Sequence, residues 1–471
     1  MTDINELTIS GYFAKLASGE ITCEALVSAY LGRIEAFDKH GAGLNAVIAV
    51  NPRALEAASE LDAAYKEHGL TGPLHGVPVL LKDNCETRDM PTTAGSLSLA
   101  GFETGKDAEI VARLRRAGAV IVAKTNLHEF AIWGETVSSV LGQTRNPYDL
   151  SRTPGGSSGG TGAAVAANFG LAGIGTDTIN SIRSPASANA LCGIRPTVGL
   201  VSDRGIVPYS HTQDTAGPIC RTVEDAARVF EVIATSPDIN KICLSADALC
   251  GKRIGVLRSF CGKDKIHQPV NEIFGAALEL MRRGGASLTE LDDNIDPAAL
   301  VSDISVHLHE LKFCLGEYLG AFGDAAPARS VGEILASGKF SPSIGDNLRR
   351  AEELGADSPE YAARLKLRES LIARVRGIFE RHSLDAIVYP HQQQPVCKIG
   401  ESQKGRNGAL ASVTGFPAVV TPGGFTKPDM HAPLGVPVGI EFMGLPYSDS
   451  GLISLAYGFE QAAQVRKAPI L

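Results

Sequence analysis

The stretch Gly76-Val77-Pro78-Val79-Leu80-Leu81-Lys82-Asp83-Asn84 is a short apolar run that ends in three polar residues. A run of this length reads as a fully buried strand of a parallel sheet, delivering Lys82, Asp83 and Asn84 at its carboxyl end. That position suits a catalytic group. Downstream, Asp107 is placed to cap a helix that turns Ile110, Val111 and Leu114 inward and stops at Gly118. Ala119 to Ala123 (AVIVA) then reads as the next strand, so the unit is β-α-β.

The same alternation continues outward in both directions. Thr22 caps a helix through Ala25 to Phe37, with Leu26, Tyr30 and Ile34 at helical spacing. Beyond a Gly/Ser-rich stretch at 155–162 come a small-residue helix (163–168), a strand (171–175) and the polar segment Thr176-Asp177-Thr178. Strands are predicted at 253–258, 385–390, 417–421 and 436–442, and helices at 222–234, 268–283 and 451–464. The pattern predicts an α/β fold: a large mixed, mostly parallel central sheet flanked by helices on both faces. Residues 236–384 are more charged and more helical. They include a Ser358-Pro359-Glu360 helix start whose stripe carries Leu365, Ile372, Val375 and Phe379, and they are expected to cover the sheet and shape the substrate entrance.

Composition narrows the function classes. With 44% apolar and 20% charged residues over 471 positions, the chain can bury a large core without resembling a membrane protein. A formal charge of -8 argues against a surface that tracks phosphates, and the basic clusters Arg113, Arg115, Arg116 and Arg349, Arg350 fall on helix faces, so no nucleic-acid partner is expected. No stretch approaches the roughly 20 uncharged apolar residues that span a bilayer. Nine scattered cysteines without a CxxC pair, and acidic residues Asp3 and Glu6 near the start, read as a cytoplasmic protein with reduced thiols. His307-x-His309 would put two imidazoles on one face of a strand, but no further ligand stands at metal spacing, so no metal is expected there.

The segment Pro154-Gly155-Gly156-Ser157-Ser158-Gly159-Gly160-Thr161-Gly162 lacks the Gly-Lys-Ser/Thr ending of a phosphate loop. It matches G-x-S-x-G twice, centred on Ser157 and Ser158, yet a nucleophile elbow needs a preceding strand. Asn146 to Pro154, with two prolines and Asn/Asp punctuation, reads as a loop instead. The significance of the segment lies in its company: it stands 24 residues before Ser181 and 75 after Lys82.

This arrangement resembles the amidase signature family. The resemblance rests on Gly76-Val77-Pro78 through Lys82-Asp83-Asn84, the Gly-Gly-Ser-Ser-Gly-Gly block, Gly175-Thr176-Asp177-Thr178 to Ser181-Ile182-Arg183, and Gly193-Ile194-Arg195-Pro196-Thr197. It implies one amidase domain over 1–471, with a signature core at about 70–225 and the variable covering region at about 236–384. It also implies a Ser-cisSer-Lys triad: Ser181 as nucleophile, Ser157 as bridge with a cis peptide bond, and Lys82 as base. Lysine can accept a proton only when neutral, and a buried strand end disfavours the ammonium. Base and oxyanion donors are then all protein groups, so no cofactor or metal is expected; the implied partners are a small-molecule amide and water, with a homodimer possible.

One departure from the family pattern stands beside the nucleophile, where two glycines are usual and this chain has Ile179-Asn180. The implied oxyanion donors are the main-chain N–H groups of Thr178, Ile179, Asn180 and Ser181. The turn must keep Ile179 at negative φ, and its side chain is expected to narrow the acyl pocket. Trp133 is either a core aromatic or a wall of the substrate pocket, since this region approaches substrate in similar enzymes. His128, His211 and His391 stand without an identifiable acidic partner, Cys85 reads as a small buried residue, and Asp177 and Arg183 as supports of the loop. The function expected is hydrolysis of a carboxamide or ureido-type C–N bond. The alternatives are a transamidation subunit that releases ammonia from glutamine for a partner, and a catalytically silent binding protein of the same fold.

Overall fold

The computed structural model describes residues 4–236 and 242–471; Asp3 and the first part of the covering region, 237–241, lie outside them. In chain order the strands are β1 (Val47–Val50), β2 (Pro78–Lys82), β3 (Val120–Thr125), β4 (Val137–Ser138), β5 (Gly142–Gln143), β6 (Ala172–Asp177), β7 (Cys192–Arg195), β8 (Thr215–Cys220), β9 (Arg253–Leu257), β10 (Ser287–Leu291), β11 (Ala386–Pro390), β12 (Ala418–Phe425) and β13 (Pro437–Met443). β4 and β5 pair only with each other. The other eleven form one sheet in the order β1-β3-β2-β6-β8-β7-β12-β13-β11-β9-β10.

The sheet is mixed and flanked by helices on both faces, as the alternation predicts, but its parallel share is smaller than expected. Only β2–β3, β2–β6, β9–β10 and β9–β11 run parallel. The six remaining pairings are antiparallel. The sequence pattern misses β1, β7 and β8, which take part in four of these six antiparallel pairings. β7 is four residues long, and β8 carries Gly217 and Pro218, residues that argue against a central strand. Pro218 is tolerated because β7 pairs only with Cys220 and Ile219, leaving the proline beyond the ladder on that side.

Side-chain alternation along β2 divides the core. Val79 and Leu81 join a cluster with Ile110, Leu114, Phe230, Phe274 and Phe459, contributed by helices on one face. Leu80 joins Val122, Ala163, Val165 and Ile182 on the other. Lys82, next in the alternation, therefore belongs to the face that also carries the helix Gly159–Ala166. Three glycines make that helix a weak one by propensity, at about 1 kcal/mol each relative to alanine, so tertiary packing must hold it. Its small residues permit close contact with the sheet: a Cβ on Gly173 of β6 would stand 2.4 Å from Thr161 Cγ2.

Thr22 and Ser358 cap their helices as expected, accepting from Ala25 N–H and Tyr361 N–H. Asp107 does not cap Glu109–Arg116; its carboxylate instead accepts Arg88 N–H at 3.0 Å and pairs with Arg115 Nε at 3.2 Å. Nor do His307 and His309 lie on a strand: they open the helix His307–Gly320. With Val331–Ser337 and Gly345–Glu353 this helix forms a small core of Leu311, Leu315, Ile334 and Leu348 against Phe130 and Ile132. The region also supplies β9 and the edge strand β10, so it extends the sheet as well as covering it. Among the described residues no helix is long and apolar enough to cross a membrane.

Candidate active site

The parallel neighbours β2 and β6 deliver Lys82 and Thr176 side by side at their carboxyl ends. Lys82 is fully buried, and its Nζ donates to Ser157 Oγ at 2.8 Å and to Thr176 Oγ1 at 2.8 Å. Burial pushes the ammonium down from 10.5 to about 7, and the charges of Asp214 and Asp177 recover only part of that loss. The Gly156–Ser157 peptide is cis. No strand precedes this segment, consistent with its reading as a loop rather than an elbow. Its backbone is pinned on both sides: Ser157 O accepts His128 N–H at 2.9 Å, and Gly155 O accepts the Thr136 hydroxyl at 2.7 Å. Ser158 N–H donates to Ser181 O at 3.3 Å, tying the 155–162 loop to the turn that carries Ser181.

The turn from Asp177 to Ser181 leads into the helix Arg183–Ala188. Its carbonyls all find donors: Thr178 O accepts Gln213 Nε2 at 3.2 Å, Ile179 O accepts Arg183 Nη2 at 2.6 Å and the Ser412 hydroxyl, and Asn180 O accepts Ser184 N–H at 2.7 Å. The N–H groups of Thr178, Ile179, Asn180 and Ser181 meet no acceptor among the described residues. All four residues line a cavity of about 890 Å³. Neither Ile179 nor Asn180 adopts a positive φ, so the turn accommodates the pair that replaces the usual glycines. Ile179 packs partly on the cluster of Leu257, Phe260 and Leu410 while still lining the cavity.

A buried ionic network fixes the turn from behind, as expected for Asp177 and Arg183. Asp177 accepts Arg183 Nε at 3.1 Å, Arg195 Nη1 at 2.8 Å and Ile182 N–H at 3.0 Å. Burial alone would raise its carboxyl, but the two guanidinium groups outweigh that and hold it below the usual carboxylate range. Arg183 also pairs with Glu441, which accepts Tyr389 OH at 2.9 Å and contacts His391 Nδ1 at 2.6 Å. Asp177→Asn would leave two buried guanidinium groups short of one carboxylate charge. It is expected to lower stability by about 3–5 kcal/mol in urea titrations monitored by circular dichroism.

Trp133 is not a core aromatic. It is 48% exposed, lines the cavity, and donates from Nε1 to Asn347 Oδ1 at 2.8 Å, with the Arg406 guanidinium 5.6 Å from its ring centre. Its segment is strained: Phe130, Ala131, Trp133 and Thr136 all have positive φ, between 51° and 77°. Such non-glycine residues cost about 1–3 kcal/mol each and gather at functional sites. The histidines do have acidic partners, contrary to the sequence reading: His391 meets Glu441, His128 Nδ1 lies 3.7 Å from Glu135, and His211 Nε2 lies 3.6 Å from Glu317. Cys85 is buried as expected, its thiol pushed up to about 11 by burial, which leaves little thiolate. Thr176, Asp214 and Glu441 were missed. Only Glu441 carried a signal, a carboxylate inside the apolar run Val436 to Phe442 that demands a buried partner.

Comparisons with known proteins agree with this fold. The family model described as Amidase matches residues 25–453. A glutamyl-tRNA(Gln) amidotransferase subunit from Myxococcus xanthus is 34% identical over 99% of this chain and 100% of that protein. A probable amidase of Arabidopsis thaliana is 32% identical over 99% of this chain and 92% of its own length. Among solved structures, the native peptide amidase of Stenotrophomonas maltophilia superposes with a TM-score of 0.87 at 36% identity, covering 99% of this chain and 98% of that one. A family match across most of the sequence, full-length relatives above 30% identity and a shared architecture place the chain in the amidase family.

Proposed function

We propose that this chain hydrolyses a carboxamide or ureido-type C–N bond through an acyl-enzyme on Ser181. The observation that carries the proposal is the buried lysine 2.8 Å from the Ser157 hydroxyl, in a loop bonded to the Ser181 backbone beside a large cavity. Neutral Lys82 takes the Ser157 proton as Ser157 takes that of Ser181, and Ser181 Oγ attacks the carbonyl carbon. The oxyanion that forms meets the unengaged N–H groups of the 178–181 turn. Collapse breaks the C–N bond, and the proton held by Lys82 returns through Ser157 to the leaving amine. Water then attacks the Ser181 ester by the same relay and releases the acid.

The likeness to a peptide amidase supports an acyl half of peptide character, and a cavity of about 890 Å³ has room for one. A fluorophosphonate probe followed by peptide mapping is expected to label Ser181, with amine or ammonia released from a panel of peptide amides, anilides and ureido acids. Labelling at Ser158 or Cys85 would overturn the assignment. A second reading, a glutamine-dependent amidotransferase component, draws support from the Myxococcus xanthus relative. It requires glutamine-derived ammonia passed to partner proteins, so co-purification with such partners would favour it.

Ile179 is the residue expected to limit the acyl half. Ile179→Gly with Asn180→Gly is expected to widen acceptance of bulky acyl groups and to slow turnover of the best wild-type substrate, measured as kcat/KM across the panel. An unchanged profile would assign the pocket to other walls.

A further inference from the structure

A second cavity, of about 410 Å³, meets the first at Ala131, Thr178 and Tyr209. The two reach the catalytic groups from different sides. Ser181 lines the first alone; Thr176, whose hydroxyl accepts Lys82 Nζ at 2.8 Å, lines the second alone. Asn84, also in the second wall, donates to the same Thr176 hydroxyl at 3.1 Å. The second cavity therefore abuts the side of the site that holds the proton for the departing amine.

Its size does not fit ammonia. A molecule as small as water needs about 10–15 Å³ of such a cavity, so the space suits a far larger group. Its walls are largely apolar, with Val207, Tyr209, Cys314, Ala321 and Phe322 among them. Two buried polar atoms in the lining have no hydrogen-bond partner, Thr215 Oγ1 and Glu86 Oε2, and only the second is a carboxylate oxygen. Glu86 is 1% exposed; its Oε1 accepts the Tyr318 hydroxyl at 2.8 Å, and its Oε2 has no hydrogen-bond partner. Lys106 Nζ stands 3.7 Å from that oxygen, on an exposed side chain whose ammonium lies 4.8 Å from the Phe322 ring centre. A buried acceptor whose neighbouring ammonium makes no hydrogen bond to it is a place where a ligand's donor or cation, beside aromatic walls, can compete with that lysine. The neighbouring buried carboxylate, Asp214, is fully engaged by the Thr178 hydroxyl and the N–H groups of Tyr209 and Ser210.

We infer that the second cavity is a subsite for the amine half of a secondary amide, a primary amine with an aromatic body and a cationic tip that meets Glu86 Oε2. The inference rests on the amide-hydrolase reading above and deepens it by naming the leaving group. C–N cleavage then releases a substituted amine, which takes its proton from Ser157, into this cavity while the acyl half stays in the first.

The test uses three amides of one acyl group: the primary amide, the N-benzyl amide and the N-(4-aminomethylbenzyl) amide. The wild type is expected to cleave both N-substituted amides at least as well as the primary one, with the cationic compound best. Ala321 is exposed and lines the cavity, so Ala321→Trp should fill the space without disturbing the core. It is expected to lower the N-benzyl to primary ratio of kcat/KM by about tenfold or more. Glu86→Gln should erase the preference for the cationic tip. Cleavage of the primary amide alone, or an Ala321→Trp ratio equal to that of the wild type, would overturn the subsite while leaving the hydrolase intact. Release from none of the three, together with an unlabelled Ser181, would overturn both.

Discussion

Ser181→Ala is expected to lower turnover by about 10⁴- to 10⁶-fold while substrate still binds, the scale seen when a nucleophile is removed from a triad that acts as one unit. The replacement removes one hydroxyl and leaves the Asp177–Arg183–Glu441 network untouched, since none of its hydrogen bonds uses the Ser181 side chain. The fold should therefore persist, with circular dichroism and the urea midpoint unchanged. Isothermal titration with the best substrate of the panel would show retained affinity, because the acyl cavity is intact. If the 178–181 turn holds the oxyanion as proposed, its residual catalysis should survive such a deletion. Turnover within tenfold of the wild type would sink the assignment of Ser181 as nucleophile. Loss of binding and folding together would show that the hydroxyl is structural.

How much of this site was legible in the sequence depends on the range of each interaction. Lys82 could be placed because a strand reads locally: an apolar run ending in polar residues carries its own burial signal. The turn at 178–181 was legible in identity, and the steric demand on Ile179 was legible too, since a β-branched residue excludes the conformations that glycine allows. The network behind the turn was not. Arg183 and Glu441 are 258 residues apart, and His391 and Glu441 are 50 apart, so no local pattern joins them. Strand direction was illegible for a related reason. β8 holds its place by pairing with β6 from Ala172–Cys220 to Asp177–Thr215, and that ladder, not the propensity of Thr-Ala-Gly-Pro-Ile-Cys, makes it a strand. The Asp107 cap failed through competition: a local carboxylate that favours a helix end found stronger partners in two arginines.

The pH dependence of Lys82 supplies the most demanding check. Desolvation opposes its charged form, and with no carboxylate in direct contact the group titrates near 7 rather than 10.5. In the proposed mechanism the active form is the neutral amine, so kcat/KM should rise with pH through about 7 and then level. The sign for stability follows from the same shift. Between about 7 and 10.5 the unfolded lysine is protonated and the folded one is not, so the unfolded state binds more protons and stability rises with pH across that window. Replacing Lys82 by methionine removes both effects: activity is lost, while neutral-pH stability is expected to increase and to exceed the wild type by less as pH climbs toward 10.5. Lys82→Arg separates charge from basicity. Guanidinium keeps its proton throughout this range and adds bulk to a fully buried position, so it can neither accept the Ser157 proton nor be accommodated without strain. Activity should fall as far as in Lys82→Ala, by about 10³-fold or more. A Lys82→Arg enzyme retaining a tenth of wild-type turnover, or a wild-type profile flat between pH 5 and 9, would mean that another group moves the proton.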